Sequence, residues 1–183
     1  MKNAKPSKEE LRAAVERTTD ELIDYDLKVL FCGINPGLWS AATGHNFARP
    51  GNRFWKTLHR AGFTDWQFDP SEERGLLRLG FGITNFCPRA TARADELTDE
   101  EIGEGGRRLV EKIEKYRPRI LAVLGITPYR VAFAEPRAKI GPQPAKIGET
   151  RIWVLPNPSG LNAHYQIDDL TRLFREMRES VEP

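Results

Sequence analysis

An apolar run, Val29-Leu30-Phe31-Cys32, leads directly into Gly33-Ile34-Asn35-Pro36-Gly37-Leu38 and constrains the fold more than any other segment. Consecutive apolar residues that end at turn residues are typical of a strand buried inside a sheet. Pro36 and Gly37 then force a turn, so Asn35 leaves the sheet edge with little freedom to move. An amide held there can orient a water molecule or the edge of a base, but it cannot take a proton at neutral pH.

Length and composition favour one domain without membrane segments. The 183 residues suffice for one core but not for two comfortable domains. We expect a single domain over residues 1–183, in which residues 1–26 supply an N-terminal helix that packs on the core. No apolar span approaches membrane length, and the first six residues lack the apolar core of a signal peptide. These features predict a soluble, cytoplasmic protein with no membrane partner.

The two cysteines, Cys32 and Cys87, each adjoin a strand-like apolar run. This placement fits reduced thiols in a core better than a disulfide framework. Two cysteines are too few for four-cysteine zinc or iron–sulfur ligation. We expect neither a metal nor a cofactor.

Net charge is only +2, but its distribution is uneven. Acidic residues crowd into Lys8–Asp26, Asp95–Glu114 and the C-terminal tail, whereas a basic cluster follows the Asn35 loop and faces one nearby acid, Asp65. A basic face at that place indicates an anionic ligand, although a solvated helix face is the plainer alternative. The cluster consists of His45, Arg49, Arg53, Lys56, His59 and Arg60.

Helical and strand patterns alternate along the chain, which predicts an α/β fold with a parallel sheet and helices on both faces. A capping box at Ser7–Glu10 begins a helix that ends near Asp24. The Pro-rich segment Glu135–Gly148 is interpreted as an extended surface loop. The other predicted helices are Arg53–Ala61, Pro70–Leu79, Thr98–Tyr116 and Ile167–Ser180, and the strands are Lys28–Ile34, Phe81–Cys87, Arg119–Gly125 and Arg151–Leu155.

Loops that follow parallel strands meet at one edge of the sheet, which would bring Asn35–Gly51, Pro88–Leu97 and Pro156–Gln166 together. The last of these contains a second Asn-Pro turn, Asn157-Pro158-Ser159-Gly160-Leu161-Asn162. Such turns are ordinary loop chemistry on their own. Leu161 is unusual at the tip of a polar turn, because it has no obvious core to enter. Exposed apolar side chains of this kind can insert into a base stack, and a hydrophobic staple onto the last helix is an equally good interpretation.

Three segments together resemble the bacterial mismatch-specific uracil-DNA glycosylase and thymine-DNA glycosylase family, from about Leu27 to about Phe174. They are the Gly33–Leu38 motif, Pro50-Gly51-Asn52-Arg53-Phe54-Trp55-Lys56, and Leu155–Leu161. The resemblance implies the uracil-DNA glycosylase fold, a three-layer α/β/α sandwich around a short parallel sheet. It also implies excision of a flipped base from duplex DNA.

The resemblance further implies roles for individual residues. Asn35 corresponds to a water-positioning asparagine and Phe47 to the aromatic residue that stacks on the extruded base. Gly160, Leu161 and Asn162, together with Ser159, correspond to the wedge that fills the vacated space and contacts the opposite guanine. The remaining candidates are Ile34, Ser40, His45, Asn85 and Asn157 in the base pocket and Arg49, Arg53 and Lys56 at phosphates. A surface hydrogen bond is the alternative for His45, a buried amide that joins two loops is the alternative for Asn85, and surface charges unrelated to DNA are the alternative for the three cations.

The expected reaction needs little acid–base catalysis if the base leaves as an anion. No lysine lies in the first motif, which favours a monofunctional glycosylase acting as a monomer on uracil, or on thymine or ethenocytosine, opposite guanine. Because Asn35 cannot deprotonate water, Asp95 is the nearest plausible carboxylate for that role, and a cap or salt bridge is its alternative.

Two other functions compete with this interpretation. The first is an α/β hydrolase with Ser159, His164 and Asp168 as a triad, although no Gly-x-Ser-x-Gly elbow is present. The second is a non-catalytic DNA- or nucleotide-binding module of the same fold. Neither explains both Asn-Pro turns together with Leu161.

Overall fold

Five strands form one central sheet in the computed structural model, which describes residues 5–181. The first four and the last two residues, which the expected domain includes, lie outside the described residues. The spatial order of the strands is β2-β1-β3-β5-β4. Their bounds are β1 (Val29–Gly33), β2 (Phe81–Asn85), β3 (Ile120–Leu124), β4 (Gly141–Ile147) and β5 (Thr150–Leu155).

The sheet is parallel except for β4, which pairs antiparallel with β5 at the edge. The surface loop expected over Glu135–Gly148 was therefore wrong, because this segment contains β4 and adds an antiparallel strand to the predicted parallel sheet. Pro142 and Pro144 obscure the strand pattern in the sequence. They are tolerated because an edge strand can turn N–H positions away from its neighbour, and the register shifts between Pro142 and Lys146.

Helices cover both faces of the sheet, which confirms the α/β class and the three layers predicted from the sequence. On one face the core includes residues of α3 and α7, and on the other residues of α5 and α6. Short 3₁₀ turns cover Pro70–Glu72 and Ala94–Glu96. The helices are α1 (Lys8–Ala13), α2 (Leu38–Thr43), α3 (Phe54–Arg60), α4 (Gly75–Leu79), α5 (Asp99–Tyr116), α6 (Ile126–Ala132) and α7 (Ile167–Glu179).

Strand β1 anchors both layers because its alternate side chains enter opposite cores. The Phe31 ring meets Phe54 edge-on, with ring centroids 5.4 Å apart, in the core beneath α3 and α7. Cys32 lies in the core beneath α5 and α6, where burial raises the pKa of its thiol far above the ordinary value. Cys87 is also a buried free thiol with a raised pKa. The apolar run thus forms the doubly buried strand that its pattern predicts.

The N-terminal helix is much shorter than predicted. It ends at Ala13 instead of near Asp24, and Glu16 adopts a left-handed conformation with φ 66°. The following chain has no helix or strand, and Leu22 pairs with Ile83 of β2 through two backbone hydrogen bonds of 2.9 and 2.8 Å. Pairing with the open edge of β2 satisfies backbone groups that a longer helix would have bonded internally, which overrides the helical period of the sequence.

One predicted helix is divided in the structure, and two short helices were not predicted. The helix expected over Pro70–Leu79 is divided into a 3₁₀ turn and α4, while α2 and α6 were not predicted. Both are short, of six and seven residues, so their local signals are weak. Within residues 5–181, no helix combines the length and apolar character needed to cross a membrane.

Candidate active site

A cleft of about 370 Å³ opens where the carboxyl ends of β1, β2, β3 and β5 meet. The loops that follow β1, β2 and β5 form its walls, as the parallel topology predicts. Ten of the sequence-predicted site residues line it. They are Ile34, Asn35, Ser40, Phe47, Arg49, Asn85, Asn157, Ser159, Leu161 and Asn162.

The amide of Asn35 is held in one orientation. Its Nδ2 donates to the Arg89 carbonyl at 3.0 Å and to Thr91 Oγ1 at 2.8 Å. Thr91 Oγ1 donates its own proton to the Arg93 carbonyl at 2.7 Å, so it must accept from Asn35. A flipped amide would place its oxygen against two acceptors. Asn35 Oδ1 therefore has no partner among residues 5–181 and can accept a hydrogen bond from a water or ligand.

Arg89 and Thr91 were not predicted as part of the site. Arg89 is fixed by a bidentate ion pair with Glu101, with N–O distances of 2.6 and 2.9 Å. Thr91 is 3% exposed, and its N–H donates to the Pro36 carbonyl at 3.3 Å. The loop after β2 thus holds the Asn35 turn through its backbone as well as through the amide.

The ion pair between Arg89 and Glu101 makes the stability of this loop depend on pH. Hydrogen bonding to Arg89 lowers the pKa of Glu101 from 4.5 to about 2. The ion pair therefore contributes fully to the free energy of unfolding above about pH 4.5, and this contribution is lost as the pH falls towards 2. The variant Glu101→Gln keeps the helix cap with Thr98 but loses the charge. We expect wild type to resist urea better than this variant at pH 7, and the difference in midpoints to shrink below pH 4.5. A difference that stays constant from pH 7 to pH 3 would contradict this.

Phe47 is placed by a strained backbone and by ring stacking. Its φ of 53° is in the left-handed region, which a bulky residue rarely adopts. The ring stacks on Phe54 with centroids 4.0 Å apart and an interplanar angle of 25°. The N–H of Ala48 donates to Ser40 Oγ at 3.2 Å, so Ser40 holds the chain directly after Phe47. Strain of this kind persists only where the surroundings impose it.

Residues Asn46 and Glu73, also missed as structural determinants, provide that constraint. Glu73 is 4% exposed and accepts from Asn46 N at 2.8 Å and from Asn46 Nδ2 at 3.0 Å. The Asn46 carbonyl accepts from the Trp55 indole at 3.1 Å. His45 was predicted to lie in the base pocket, but its Nδ1 lies 3.1 Å from Glu73 Oε1 and the residue does not line the cleft. The buried Glu73 carboxylate needs hydrogen-bond donors, and its contact with His45 holds that side chain away from the cavity.

Asn85 and Gly33 form one wall of the cleft. A Cβ on Gly33 would lie 2.5 Å from Asn85 Oδ1 and 3.5 Å from Phe47 Cζ, so glycine lets both side chains approach the backbone. The Asn85 amide has no hydrogen-bond partner within the described part of the chain. It is therefore available to a ligand with both a donor and an acceptor.

The second Asn-Pro turn forms a rigid loop opposite Asn35. Asn157 Oδ1 accepts from Ser159 N at 2.9 Å, and Asn162 Nδ2 donates to the Asn157 carbonyl at 3.0 Å. Leu161 projects from this loop with 74% of its surface exposed. Gly160 does not line the cleft, but a Cβ there would lie 2.5 Å from the Gly51 carbonyl oxygen. The two glycine-containing loops therefore touch through their backbones.

Arg53 was predicted to contact phosphate, and the structure gives it a different role. Its guanidinium donates to carbonyls of the second Asn-Pro loop and of the chain that follows. The acceptors are Pro158 at 3.3 Å, Ser159 at 2.6 Å, Asn162 at 3.0 Å and Tyr165 at 2.5 Å. Only a planar group with several fixed donors can reach so many acceptors at once. These bonds occupy Arg53 within the protein.

The other predicted phosphate contacts keep exposed cationic groups. Arg49 lines the cleft, and Lys56 lies in an adjoining groove that Arg49 also borders. Neither has an ion-pair partner among residues 5–181.

The residues of two other catalytic hypotheses are placed elsewhere or paired with other groups. Asp95 does not line the cleft, and its carboxylate is paired with Arg93. The proposed hydrolase triad is also not assembled. The Ser159 hydroxyl accepts from Leu161 N at 3.3 Å, and Asp168 pairs with Arg60 at 2.8 Å. Within the described residues, no group of three or more His, Cys, Asp or Glu side chains could hold a metal ion.

The sequence matches the model of a known protein family. A model described as the uracil DNA glycosylase superfamily matches residues 21–181, which includes all the elements that form the cleft.

Proposed function

Because the chain belongs to the uracil DNA glycosylase superfamily, we propose that it is a monofunctional, mismatch-specific glycosylase that removes uracil from G·U pairs in duplex DNA. Thymine and ethenocytosine opposite guanine are the other candidate substrates. The observation that carries the proposal is the orientation of Asn35, whose Nδ2 is occupied by Arg89 and Thr91 and whose Oδ1 is left for a water.

The proposed mechanism depends on departure of the base as an anion. The N–H groups of Asn35 and Phe47 donate to no acceptor in the described residues, and both residues line the cleft. Fixed donors of this kind stabilise charge that develops on a leaving group. Asn35 Oδ1 would accept a hydrogen bond from the water that then attacks the sugar carbon. With the positive charge already on the sugar, the water needs positioning more than deprotonation, so no carboxylate such as Asp95 is required.

Base recognition would use Phe47 and Asn85. The Phe47 ring, held by Phe54, offers a stacking surface to an extruded pyrimidine. Uracil presents an N3–H donor beside a carbonyl acceptor, and an amide can pair with both at once. The unpartnered amide of Asn85 supplies that pair of groups at the wall of the cleft.

Preference for mismatches would follow from the cost of base flipping, which is least at a weakened pair. Leu161 would fill the space in the stack, and Asn162 and Ser159 would contact the opposite guanine. Arg49 and Lys56 are the proposed phosphate contacts. An enzyme of this kind would act as a monomer on chromosomal DNA, which corresponds to a cytoplasmic, nucleoid-associated location.

The proposal is tested by incubating the protein with duplexes containing G·U, G·T and A·U and with single-stranded uracil DNA, followed by alkali. We expect strand breaks at abasic sites first with G·U, and none before the alkali treatment. No breaks with any substrate would overturn the proposal. Salt-sensitive binding to the duplexes without release of base would instead identify a non-catalytic module.

A further inference from the structure

Residues Ala14–Asp20, here called the N-terminal arm, precede the family match, which begins at residue 21. None of them lines the cleft. The arm nevertheless contacts the two loops that fix Asn35 and Phe47. Membership of the matched family does not by itself imply this contact, because the matched residues include both loops but not the arm.

The first contact is with Asn46, directly before Phe47. Thr19 Oγ1 donates to Asn46 Oδ1 at 2.9 Å, and Asn46 Nδ2 donates to the Asp20 carbonyl at 2.9 Å. Thr19 is 6% exposed and Asn46 is 3% exposed. Glu73 completes the set of partners, so the arm and Glu73 together satisfy the buried Asn46 side chain.

The second contact is with Ala90, between the two residues that hold the Asn35 amide. Ala90 N donates to the Arg17 carbonyl at 2.7 Å, and Glu16 N donates to the Ala90 carbonyl at 3.3 Å. Ala14, fully buried, packs with Ala41 and Ala90. The arm therefore fixes the backbone of the loop after β2 by a pair of bonds in both directions.

We propose that the N-terminal arm is a positioning element for base excision, and that Thr19 is its positioning residue for the loop that carries Phe47. The inference rests on the proposed glycosylase function. Phe47 has a strained backbone, and the residue before it has two of its side-chain bonds to the arm. Loss of the Thr19 hydroxyl would leave Asn46 Oδ1 without its donor and let Phe47 relax away from the base without unfolding the sheet.

The test compares Thr19→Val, which removes only the hydroxyl, with Thr19→Ser, which retains it. Thr150→Val is the matched control, because Thr150 is also buried, donates one bond of 2.6 Å to the Pro118 carbonyl and lies at the opposite end of β5. Single-turnover excision of uracil from a G·U duplex gives the maximal rate and the half-saturating protein concentration. Thermal melts measure the stability of each variant.

We expect the maximal rate of Thr19→Val to fall about tenfold, with half-saturation within twofold of wild type. Thr19→Ser restores the rate, and Thr150→Val keeps it despite a comparable loss of stability. The Trp55 indole donates to the Asn46 carbonyl, so its ¹⁵N–¹H NMR resonance reports on this loop and shifts in Thr19→Val only. An unchanged rate in Thr19→Val, or an equal fall in Thr150→Val, would overturn the inference. An inactive wild type would contradict the glycosylase proposal, and the Trp55 resonance would still test the arm.

Discussion

The variant Asn35→Ala is expected to lower the single-turnover rate of uracil excision from a G·U duplex by about 100-fold or more, because the attacking water loses its fixed acceptor. The Asn35 side chain contacts Arg89 and Thr91 in the protein, but the proposed substrate contact is only to water. The loss should therefore appear in the rate and not in DNA affinity. Affinity is measured with a duplex whose target sugar carries fluorine at C2′, which resists cleavage because it disfavours positive charge on the sugar.

The variant Asn35→Asp separates the acceptor from its orientation. A carboxylate keeps an oxygen for the water but cannot donate to the Arg89 carbonyl or to Thr91 Oγ1. We expect it to be nearly as slow as Asn35→Ala, because these acceptors repel it from the productive position. Thr91→Ala removes one of the two acceptors and should cause a smaller loss of rate. Full activity in Asn35→Asp would show that orientation by this loop is unimportant.

The sequence predicts the part of the site that depends on local signals. The apolar run of β1 and the turn at Pro36 place Asn35 at the carboxyl edge of the sheet, and parallel topology brings Asn157 to the same edge. Each strand and turn signal comes from residues within a few positions of each other, and the parallel topology follows from the alternation of helices and strands along the chain. The antiparallel strand β4 was not predicted, because its prolines are typical of a loop. An edge strand can nevertheless accommodate them.

The contacts that hold the site depend on residues far apart in sequence, and local patterns do not report them. Asn46 bonds to Glu73, 27 positions away, and Glu73 lies in a segment whose charge predicts exposure. Thr91 reaches Asn35 across 56 positions. Such buried polar partners become visible only when every buried group is accounted for in three dimensions. The glycines Gly51 and Gly160 are a sequence signal for one such distant contact, since glycine often marks a place where two backbones approach closely.

Arg53→Lys is expected to lower the excision rate more than tenfold although it keeps the positive charge. The four guanidinium acceptors lie 105 to 112 positions further along the chain, and they hold the loop that carries Leu161. Lysine has one ammonium group and cannot reach carbonyls on both sides of the loop. Leu161 is exposed and belongs to none of the core clusters of residues 5–181, so it would then have no fixed position from which to enter the base stack. Fluorescence of 2-aminopurine beside the target base measures how much of the DNA is flipped, and this fraction should fall with the rate.

Salt dependence distinguishes this role from a phosphate contact. The slope of log affinity against log salt is negative, and each lost phosphate contact reduces its magnitude by about 0.9. Arg49→Gln and Lys56→Gln should each show that decrease, because both cations are exposed at the cleft and its adjoining groove. Arg53→Gln should leave the slope unchanged while flipping is lost, since its charge is already committed to protein carbonyls. A smaller salt slope in Arg53→Gln, together with normal excision by Arg53→Lys, would indicate that Arg53 contacts a DNA phosphate instead. The position of Leu161 would then depend on the internal bonds of the Asn157–Asn162 loop and on its contact with Gly51.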